Sequence, residues 1–436
     1  MKLKLETFLL AALLCGFAFE AAFAGDKVII ISPHRKSIQE EFVPKFKEYY
    51  KANYKAEVDV EWIDQGGTSD DIRFVSSKFA TNPKTSGIDI FWGGGASDFV
   101  DLAKDTFLAE YKLPPDLKKQ LPEKIAGVAM YDATQTWYGS AASSFGIFTN
   151  KKLLKIQRTE APKIWADLAN PKYEDQISAT DPRHSGGAAI MNTIILQGYG
   201  WDKGWEILGN MAANVRKFTH SSSDPIKAVV SGDVSLAPTI DFYAAAKIGD
   251  LGAENLGFVL PTDFSVLDPD PVAILKGAPN RKAAERFMEF VLSAEAQKLL
   301  VLPKGQIGGP VKDTLGRMAV NRDTYNQVQL KAISANPLMF KTSFTLDAQK
   351  AAKLKNILND LIGAIHIDIQ NELKTAVKNL RKKGAKPADM SALLKPPMSE
   401  KEALALADKW DDDVFRNKTI NTWINDYKSR YVAASK

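Results

Sequence analysis

The sequence predicts an α/β protein with two doubly wound lobes and a helical C-terminal extension. Three observations lead to this prediction: strands alternate with helices, the alternation stops and then restarts once, and the pattern becomes mostly helical after Pro337. Such alternation is typical of parallel sheets covered by helices. The length of 436 residues fits two to three domains, at roughly 150 residues per domain.

The composition is that of a globular chain with a mild positive charge. Hydrophobic residues make up 45% of the sequence, and 57 Lys and Arg oppose 52 Asp and Glu, for a net charge of +5. This composition excludes wholesale disorder, collagen and coiled coil. No basic cluster is interleaved with aromatic residues, so we expect no nucleic-acid partner.

Residues 1–24 are predicted to form a signal peptide. Lysines open the segment, an apolar run covers residues 8–19, and a small-x-small cleavage pattern ends at Ala24. The run is too short for a membrane span, which takes roughly 20 residues. We expect cleavage after Ala24 and localisation in a bacterial periplasm or on the outer face of a cell membrane. Cleavage would remove Cys15, the one cysteine, and with it any thiol chemistry.

The first lobe is predicted to start with residues 25–144, as three strand–loop–helix units. Val28-Ile29-Ile30-Ile31 is a β-branched run of the kind found in strands that are buried on both faces. The other predicted elements are a helix over residues 36–50, a strand over 57–63, a helix over 70–79 with Ser69 as its N-cap, a strand over 88–92 and a helix from about residue 97.

A second lobe is predicted over residues 145–267. A strand over 145–150 leaves the first lobe, and the returning strands lead into residues 268–345, which complete the first lobe. Residues 346–436 form a helical extension whose residues 347–379 read as one long amphipathic stretch. Within the second lobe, strands are expected over 175–180, 215–219 and 234–240, and helices ending at 197, 213, 230 and 248.

Glycine-rich loops follow strands in both lobes, where open parallel sheets bind ligands. Ser185-Gly186-Gly187 opens a helix, so its amide groups and the helix dipole would favour an anion. A plain N-cap with a tight turn is the alternative. Gly66-Gly67-Thr68 and Gly93-Gly94-Gly95 hold equivalent positions in the first lobe, and Ser221-Ser222-Ser223 adds hydroxyl groups at another helix start.

Three of the four histidines, His34, His184 and His220, lie in these loops, whereas His366 lies in a predicted helix, where a surface position or packing is expected. A zinc site is disfavoured because no histidine pair has a short ligand spacing. A serine hydrolase is disfavoured because the sequence has no Gly-x-Ser-x-Gly motif. Donation to a bound anion fits the loop histidines better, and we expect no cofactor.

Five motifs within residues 27–302 form a recognisable combination. They are Ile-Ile-Ile-Ser-Pro-His-Arg at 29–35, Trp-Ile-Asp-Gln-Gly-Gly at 62–67, Asp-Ile-Phe-Trp-Gly-Gly-Gly at 89–95, Asp181-Pro182 before Ser185-Gly186, and Ser231-Gly232-Asp233 before Ile240-Asp241-Phe242-Tyr243. In an exported chain, this combination resembles the extracellular solute-binding proteins of ABC importers. The nearest branch contains ferric-ion binders, sugar-phosphate binders and the phosphoglycerate-transport regulator.

The resemblance implies a type II periplasmic-binding-protein fold, in which two lobes joined by crossing strands close on a ligand by hinge bending. It also implies a monomer without enzymatic activity, which delivers a small solute to a cognate ABC permease in the inner membrane. Ferric binders of this family carry two adjacent tyrosines where this chain has Phe242-Tyr243, so one phenolate ligand is missing. An anionic, phosphorylated organic solute is therefore expected. The alternatives are ferric iron held by His34 and Tyr243, and an exported hydrolase.

The expected ligand-binding residues come from both lobes. Amide, hydroxyl and imidazole groups would hold the anion, and Asp241 would accept hydrogen bonds from sugar or polyol hydroxyls. The first lobe contributes Ser32, His34, Gly67, Thr68, Gly94 and Gly95, and the second contributes Ser185, Gly186, Gly187, Ser222, Asp241 and Tyr243.

Overall fold

The computed structural model of the protein describes residues 25–328, 332–334, 336–339 and 344–436. The predicted signal peptide, residues 1–24, lies outside the described residues. The described part has the predicted α/β architecture, with helices around a ten-stranded sheet. Within these ranges, no helix combines the length and the apolar character that a membrane crossing requires.

The elements follow the predicted order of first lobe, second lobe, return and extension. The first lobe begins with β1 (Asp26–Ile31), α1 (Lys36–Tyr54), β2 (Val58–Ile63), α2 (Thr68–Thr81), β3 (Ile90–Trp92), α3 (Ala96–Lys104), β4 (Leu108–Ala109), α4 (Pro115–Gln120), β5 (Lys124–Ile125) and β6 (Val128–Ala129). After the crossing strand β7 (Trp137–Asn150), the second lobe contains α5 (Lys151–Ile156), β8 (Ile177–Thr180), α6 (Gly186–Tyr199), α7 (Trp201–Asn214), β9 (Val215–Thr219), α8 (Asp224–Ser231), β10 (Leu236–Ile240), α9 (Asp241–Leu251) and β11 (Leu256–Val259).

The chain returns to the first lobe along a second crossing strand and ends in the helical extension. The return consists of β12 (Leu267–Leu275), α10 (Arg281–Leu292), α11 (Ala294–Val301) and α12 (Arg322–Val328). The extension contains α13 (Ala348–Ile362), α14 (Gln370–Lys382), α15 (Pro387–Leu394), α16 (Glu400–Ala407) and α17 (Asp413–Ser435).

The two crossing strands join the lobes. The sheet runs β2-β1-β3-β12-β7-β10-β8-β9, and β12 and β7 pair in antiparallel fashion from Leu267 opposite Ser144 to Ala273 opposite Trp137. Beyond Ser144, β7 pairs with β10 instead, with Phe145 opposite Ile240. The strand is longer than the predicted residues 145–150, because its polar first half is buried between β12 and the rest of the first lobe.

Aromatic side chains join the two parts of the first lobe. Phe42 and Phe46 of α1 are fully buried and meet Trp92 and Phe287, each pair with ring centroids 5.0 Å apart and nearly perpendicular rings. Edge-to-face pairs of this kind are favourable in a close-packed core. Phe287 belongs to α10, so the return segment completes the core that the N-terminal segment began.

The C-terminal extension shares a hydrophobic core with the second lobe. Ile357 and Leu361 of α13, Leu373 of α14 and Tyr431 of α17 are buried in the same apolar cluster as Trp205 of α7. Such a continuous core buries apolar surface that neither part would bury alone. The extension and the second lobe therefore form one packed unit.

The long helix predicted over residues 347–379 is interrupted. A wider turn, Gly363–Ile367, separates α13 from α14, and Asp368 N donates to Gly363 O across it. A Cβ on Gly363 would lie 2.5 Å from Cζ of Arg183, so a larger residue here would displace the guanidinium that pairs with Asp181 and Asp368. The turn buries His366, so packing is the correct one of the two alternatives that the sequence left for that histidine.

The start of α2 differs from the prediction that Ser69 caps it. The helix begins at Thr68, and Gly67 O accepts from the amides of Asp70 and Asp71. Two glycines before Thr68 allow the chain to turn into the helix early, which leaves Ser69 inside the first turn. Asp71 is fully buried, and its Oδ1 accepts from Gln65 N at 2.9 Å.

Asp71→Asn should make the stability of the protein less dependent on pH. Burial raises the pKa of Asp71 to about 7, whereas an unfolded aspartate titrates near 4. The wild type should therefore lose stability as the pH rises from 4 to 7, by up to roughly 4 kcal/mol from this group. Urea unfolding measures the free energy of unfolding at pH 5 and pH 8. The difference between Asp71→Asn and the wild type should favour the variant more at pH 8 than at pH 5.

Any cost of burying the new amide is the same at both pH values and cancels in this comparison. A difference between the variant and the wild type that does not change with pH would contradict the assignment of Asp71 as the titrating group.

Candidate functional site

His34 lies at the base of the cleft between the lobes, just after β1. Its Nδ1 is 3.0 Å from Ser32 Oγ, and its Nε2 is 2.8 Å from Asp270 Oδ2. The imidazole also meets Trp92 edge-on, with centroids 4.8 Å apart. Both ring nitrogens are therefore occupied within the protein. Burial lowers the pKa of His34, although Asp270 acts in the opposite direction.

Arg317 joins His34 and Asp270 from the segment between α11 and α12. Its guanidinium forms an ion pair with Asp270, and its Nη1 lies 3.0 Å from His34 Nε2. Burial alone would raise the pKa of Asp270, but Arg317 and His34 outweigh burial and hold this pKa well below its ordinary value. Asp270 is therefore ionised at neutral pH, and the three side chains form a buried charged network.

Ser32, His34 and Asp270 contact one another in the same succession as the Ser, His and Asp of a hydrolase triad. Their surroundings argue against a catalytic role. Ser32 is fully buried, and its Oγ also accepts from His34 N at 3.2 Å. A nucleophile has to reach its substrate. Here the serine fixes the backbone and ring of His34, and the carboxylate is shared with Arg317.

The first-lobe glycine loops pack against each other and against His34. A Cβ on Gly93 would lie 2.8 Å from His34 Cε1, and one on Gly94 would lie 2.7 Å from Thr68 Cγ2. The amide of Gly94 donates to Asp270 Oδ1 at 3.3 Å, and that of Gly95 donates to Asp98 Oδ2 at 3.2 Å. The absence of side chains permits this close packing, and both amides are already used inside the protein.

In the corresponding loop of the second lobe, the amides of Gly186 and Gly187 have no hydrogen-bond partner among the described residues. Ser185 is the N-cap of α6, with its Oγ accepting from Ala188 N at 3.2 Å and lying 2.8 Å from Ser222 Oγ. The next two residues, Gly186 and Gly187, begin a helix of 14 residues, and the first amides of a helix have no partner within it. Gly186 has no heavy atom within 4 Å of its Cβ position. This helix start is the kind of position that binds anions.

Asp241 opens α9 and uses its carboxylate within the second lobe. It accepts from its neighbour Phe242 N at 2.8 Å and from Ser144. Burial raises its pKa to about 7, even though these hydrogen bonds and Arg317 act in the opposite direction. The carboxylate is therefore less available to a sugar hydroxyl than we expected from the sequence.

Two arginines of the first lobe lie against the aromatic pair at the start of α9. The guanidinium carbon of Arg35 is 4.8 Å from the ring centroid of Tyr243, and that of Arg317 is 4.3 Å from the ring of Phe242. Cation–π contacts at these distances are attractive. The lobes therefore meet at this point.

A groove of about 540 Å³ opens beside this contact. Its walls include Arg35, Ser37 and Asp313 from the first lobe and Ser223, Tyr243 and Lys247 from the second. Arg35 is half-buried, and burial lowers its pKa. In the described part of the chain, no hydrogen bond or ion pair is made by its guanidinium, whose contacts are the rings of Phe242 and Tyr243.

The predicted site residues separate into a set whose polar groups are engaged within the protein and a set that lies around the start of α6. Ser32, His34, Gly94, Gly95 and Asp241 have their polar groups engaged within the protein. Gly67 and Thr68 begin α2 beside Gly94. The second-lobe residues gather around the start of α6, and a Cβ on Gly187 would lie 2.9 Å from Ile240, next to Asp241 and the aromatic pair. Gly186, Gly187, Ser222 and Tyr243 are accessible, whereas Ser185 is buried beside them with its hydroxyl on Ala188 N and Ser222.

Three charged residues of the cleft, Arg35, Asp270 and Arg317, were not predicted from the sequence. The position of Arg35 could have indicated a role in the cleft, because it follows His34 in the loop after a predicted strand. Asp270 and Arg317 had none, because they lie far apart in the sequence and only the fold joins them. His184 and His220 stack on each other at the surface near Ser185, with centroids 4.4 Å apart.

Comparison with known proteins gives a family match and several relatives. Residues 88–334, more than half of the chain, match the model of a family described as bacterial extracellular solute-binding protein. The phosphoglycerate transport regulatory protein PgtC of Salmonella typhimurium is 29% identical over 160 residues, which cover 37% of this chain. The match spans only 39% of that relative's length.

Two solved structures have a similar fold. The periplasmic binding protein AfuA from Actinobacillus pleuropneumoniae, solved with fructose-6-phosphate, aligns with a TM-score of 0.58 and 19% identity, covering 81% of this chain and 98% of AfuA. The apo ferric ion-binding protein A of Pasteurella haemolytica aligns with a TM-score of 0.60 and 16% identity, covering 79% and 98%. These likenesses confirm the predicted type II two-lobed fold.

Asp270→Asn should destabilise the protein by about 3–5 kcal/mol, because it leaves Arg317 buried without its anion. Urea unfolding at pH 7 measures this loss. Asp268→Asn on the same strand is the matched control, since burial raises the pKa of Asp268 to about 7 and its carboxyl is already partly neutral. Equal losses in the two variants would contradict the assignment of Asp270 as the charge that holds the network together.

Proposed function

The chain belongs to the bacterial extracellular solute-binding proteins, and on that premise we propose that it is the periplasmic substrate-binding component of an ABC importer. Its ligand would be a small anionic organic solute held between the lobes. The observation that carries this proposal is Arg35, a half-buried guanidinium that faces the interlobe groove without an ion-pair partner in the described residues. A buried charge is costly unless it is paired, so an anionic ligand would supply the missing partner.

The second lobe supplies hydrogen-bond donors for the same ligand. The free amides of Gly186 and Gly187 lie at a helix start, and the hydroxyls of Ser185 and Ser222 lie beside them. Ser223 follows Ser222 and lines the groove that contains Arg35. A ligand that reaches from this helix start to Arg35 would contact both lobes. Closure would then follow from its higher affinity for the closed form.

A phosphoryl or similar oxyanion group suits these donors best. Amides at a helix start and a guanidinium bind phosphate through charge-assisted hydrogen bonds. The relative PgtC is named for phosphoglycerate transport, and AfuA was solved with fructose-6-phosphate. We therefore propose a phosphorylated organic solute, delivered by a monomeric, non-enzymatic protein to a cognate permease in the inner membrane.

Ferric iron is the alternative that the sequence left open, and the charges around the candidate ligands argue against it. His34 would have to release Asp270 or Ser32 to offer a nitrogen. Tyr243 lies under the guanidinium of Arg35, so a trivalent cation at its hydroxyl would meet a second positive charge nearby. Within the described residues, no group of three His, Cys, Asp or Glu side chains could hold a metal ion.

A thermal-shift screen across sugar phosphates, phosphoglycerates, phosphonates, polyols and ferric citrate tests the proposal. A ligand at 100-fold excess over its Kd should stabilise the protein by about 2.7 kcal/mol. We expect the phosphorylated compounds to do so and the neutral polyols to have no effect. Stabilisation by ferric citrate, with a visible phenolate–iron absorption band, would overturn the proposal in favour of iron.

Arg35→Ala should weaken binding of the ligand found in that screen by about 10- to 150-fold. The variant loses a charge-assisted hydrogen bond of about 1.5–3 kcal/mol. Titration calorimetry measures the affinity. Lys36→Ala is the matched control, because the adjacent Lys36 side chain is 82% exposed and pairs with Glu40 on the surface. Unchanged affinity in Arg35→Ala would remove Arg35 from the site.

A further inference from the structure

Helix α13 of the C-terminal extension touches both lobes. On one side its apolar residues, such as Ile357 and Leu361, belong to the second-lobe core, and α13 lies against α6. Its N-terminal end is attached to α6 by a reciprocal pair: Asp347 N donates to Gln197 Oε1 at 2.8 Å, and Gln197 Nε2 donates to Asp347 O at 3.1 Å. On the other side α13 contacts α3 of the first lobe.

The contact with the first lobe includes an ion pair. Nζ of Lys355 lies 3.1 Å from Oδ1 of Asp98, and these side chains are 33% and 14% exposed. The other oxygen of Asp98 accepts from Gly95 N. The lysine therefore attaches the extension to the first turn of α3, directly after the glycine loop of the cleft.

Lys355 differs from the neighbouring lysines of α13. Lys350 pairs with Glu400 at 3.2 Å, and Lys353 pairs with Asp408 at 2.9 Å, so both pairs stay within the extension. The ion pair of Lys355 instead joins the extension, which is packed on the second lobe, to the first lobe. A hinge motion would separate these two parts. This difference provides matched controls on the same helix.

The charges around Asp98 strengthen the role of Lys355. Asp101 on α3 and Asp268 on β12 lie close enough to interact with both Asp98 and Lys355, and burial raises the pKa of each. Lys355 therefore interacts with all three carboxyl groups, and Lys104 of α3 adds a second positive charge near Asp101. Without Lys355, the mutual repulsion of the carboxyl groups would act across the contact between α13 and α3.

The extension is also attached to the ligand loop of the second lobe. Arg183 forms ion pairs with Asp181 at 2.7 Å and with Asp368 at 2.8 Å, and it lies in the loop that leads to Ser185. Asp368 follows the wide turn after α13. The same segment therefore holds the second-lobe wall of the cleft and reaches the first-lobe wall.

We propose that α13 restrains the opening of the cleft, and that the ion pair between Lys355 and Asp98 raises the fraction of closed protein before a ligand binds. The inference deepens the proposed function, because closure matters only if a solute binds between the lobes. A larger closed fraction lowers the conformational cost of binding, so the extension would tune affinity without touching the ligand.

Distances between the lobes in the ligand-free protein test this inference. Spin labels on cysteines introduced at Ser77 of α2 and Asp202 of α7, both exposed, report lobe separation by double electron–electron resonance, with Cys15→Ser removing the native thiol. Lys355→Ala should shift the distribution towards longer distances, with the closed-to-open ratio falling roughly two- to fivefold. Lys355→Glu should shift it further, because it adds repulsion from Asp98.

Lys353→Ala is the control and should leave the distribution as in the wild type, since its ion pair lies within the extension. Raising the salt concentration to 1 M, where the Debye length is about 3 Å, should move the wild type towards Lys355→Ala. Matching thermal unfolding of the Lys355 and Lys353 variants verifies that both are folded.

Superimposable distributions for folded Lys355→Ala, Lys355→Glu and wild type would overturn the inference. An equal shift in Lys353→Ala would also overturn it, because the effect would then belong to the whole helix surface. No ligand is present in this experiment, so its outcome is independent of the solute screen. The solute screen can contradict the proposed function while the distance measurement supports the restraint. Equally, the distance measurement can contradict the restraint while the screen supports the proposed function.

Discussion

The buried carboxylate of Asp270 is the constraint on which the cleft depends. It lies on crossing strand β12, where the register with β7 shifts between Asp270 and Pro271. Arg317, His34 and the amide of Gly94 all point to it. A buried charge is tolerated only when it is paired and hydrogen-bonded, so these partners cannot move independently. The end of β1, the loop after β3 and the return segment are therefore fixed together at the point where the strands leave the first lobe.

Much of the fold could be predicted from the sequence because its signals are local. The β-branched run at Val28–Ile31 and the alternation of strands and helices follow from burial on a sheet, and the structure has them in the predicted order. The first half of β7 was missed because its small and polar residues give no strand pattern, and only β12 buries them. The break at Gly363 was also missed, because this glycine packs against Arg183, which is far away in the sequence.

The candidate site could be predicted only in part. Its loops have a sequence signal, but whether their amides are hydrogen-bonded within the protein does not. Glycines after strands predicted ligand-binding loops, and in the structure the two first-lobe loops lie together, with Gly94 against Thr68. A sequence cannot show whether the amides of such loops are free, and here the first-lobe amides are used by Asp270 and Asp98. The second-lobe amides at Gly186 and Gly187 stay open because Ser185 caps a later amide, that of Ala188. The glycine-rich loops of the two lobes have similar compositions. They differ in the availability of their amides, because residues distant in the sequence accept hydrogen bonds in the first lobe.

The charges of the cleft explain why it would select an anion. Arg35 and Arg317 lie against the same aromatic pair, and each lowers the pKa of basic groups nearby, as expected for like charges that are close together. Arg317 is neutralised by Asp270, whereas Arg35 forms no ion pair in the described residues: it lies against aromatic rings and interacts with Asp313 without pairing with it. The groove also contains Lys227, Lys247, Asp250 and Asp313, and a neutral solute would leave Arg35 without an ion-pair partner. An anion would neutralise the guanidinium of Arg35. Because Arg35 belongs to the first lobe and the open helix start of α6 belongs to the second, an anion can contact both only when the lobes are together.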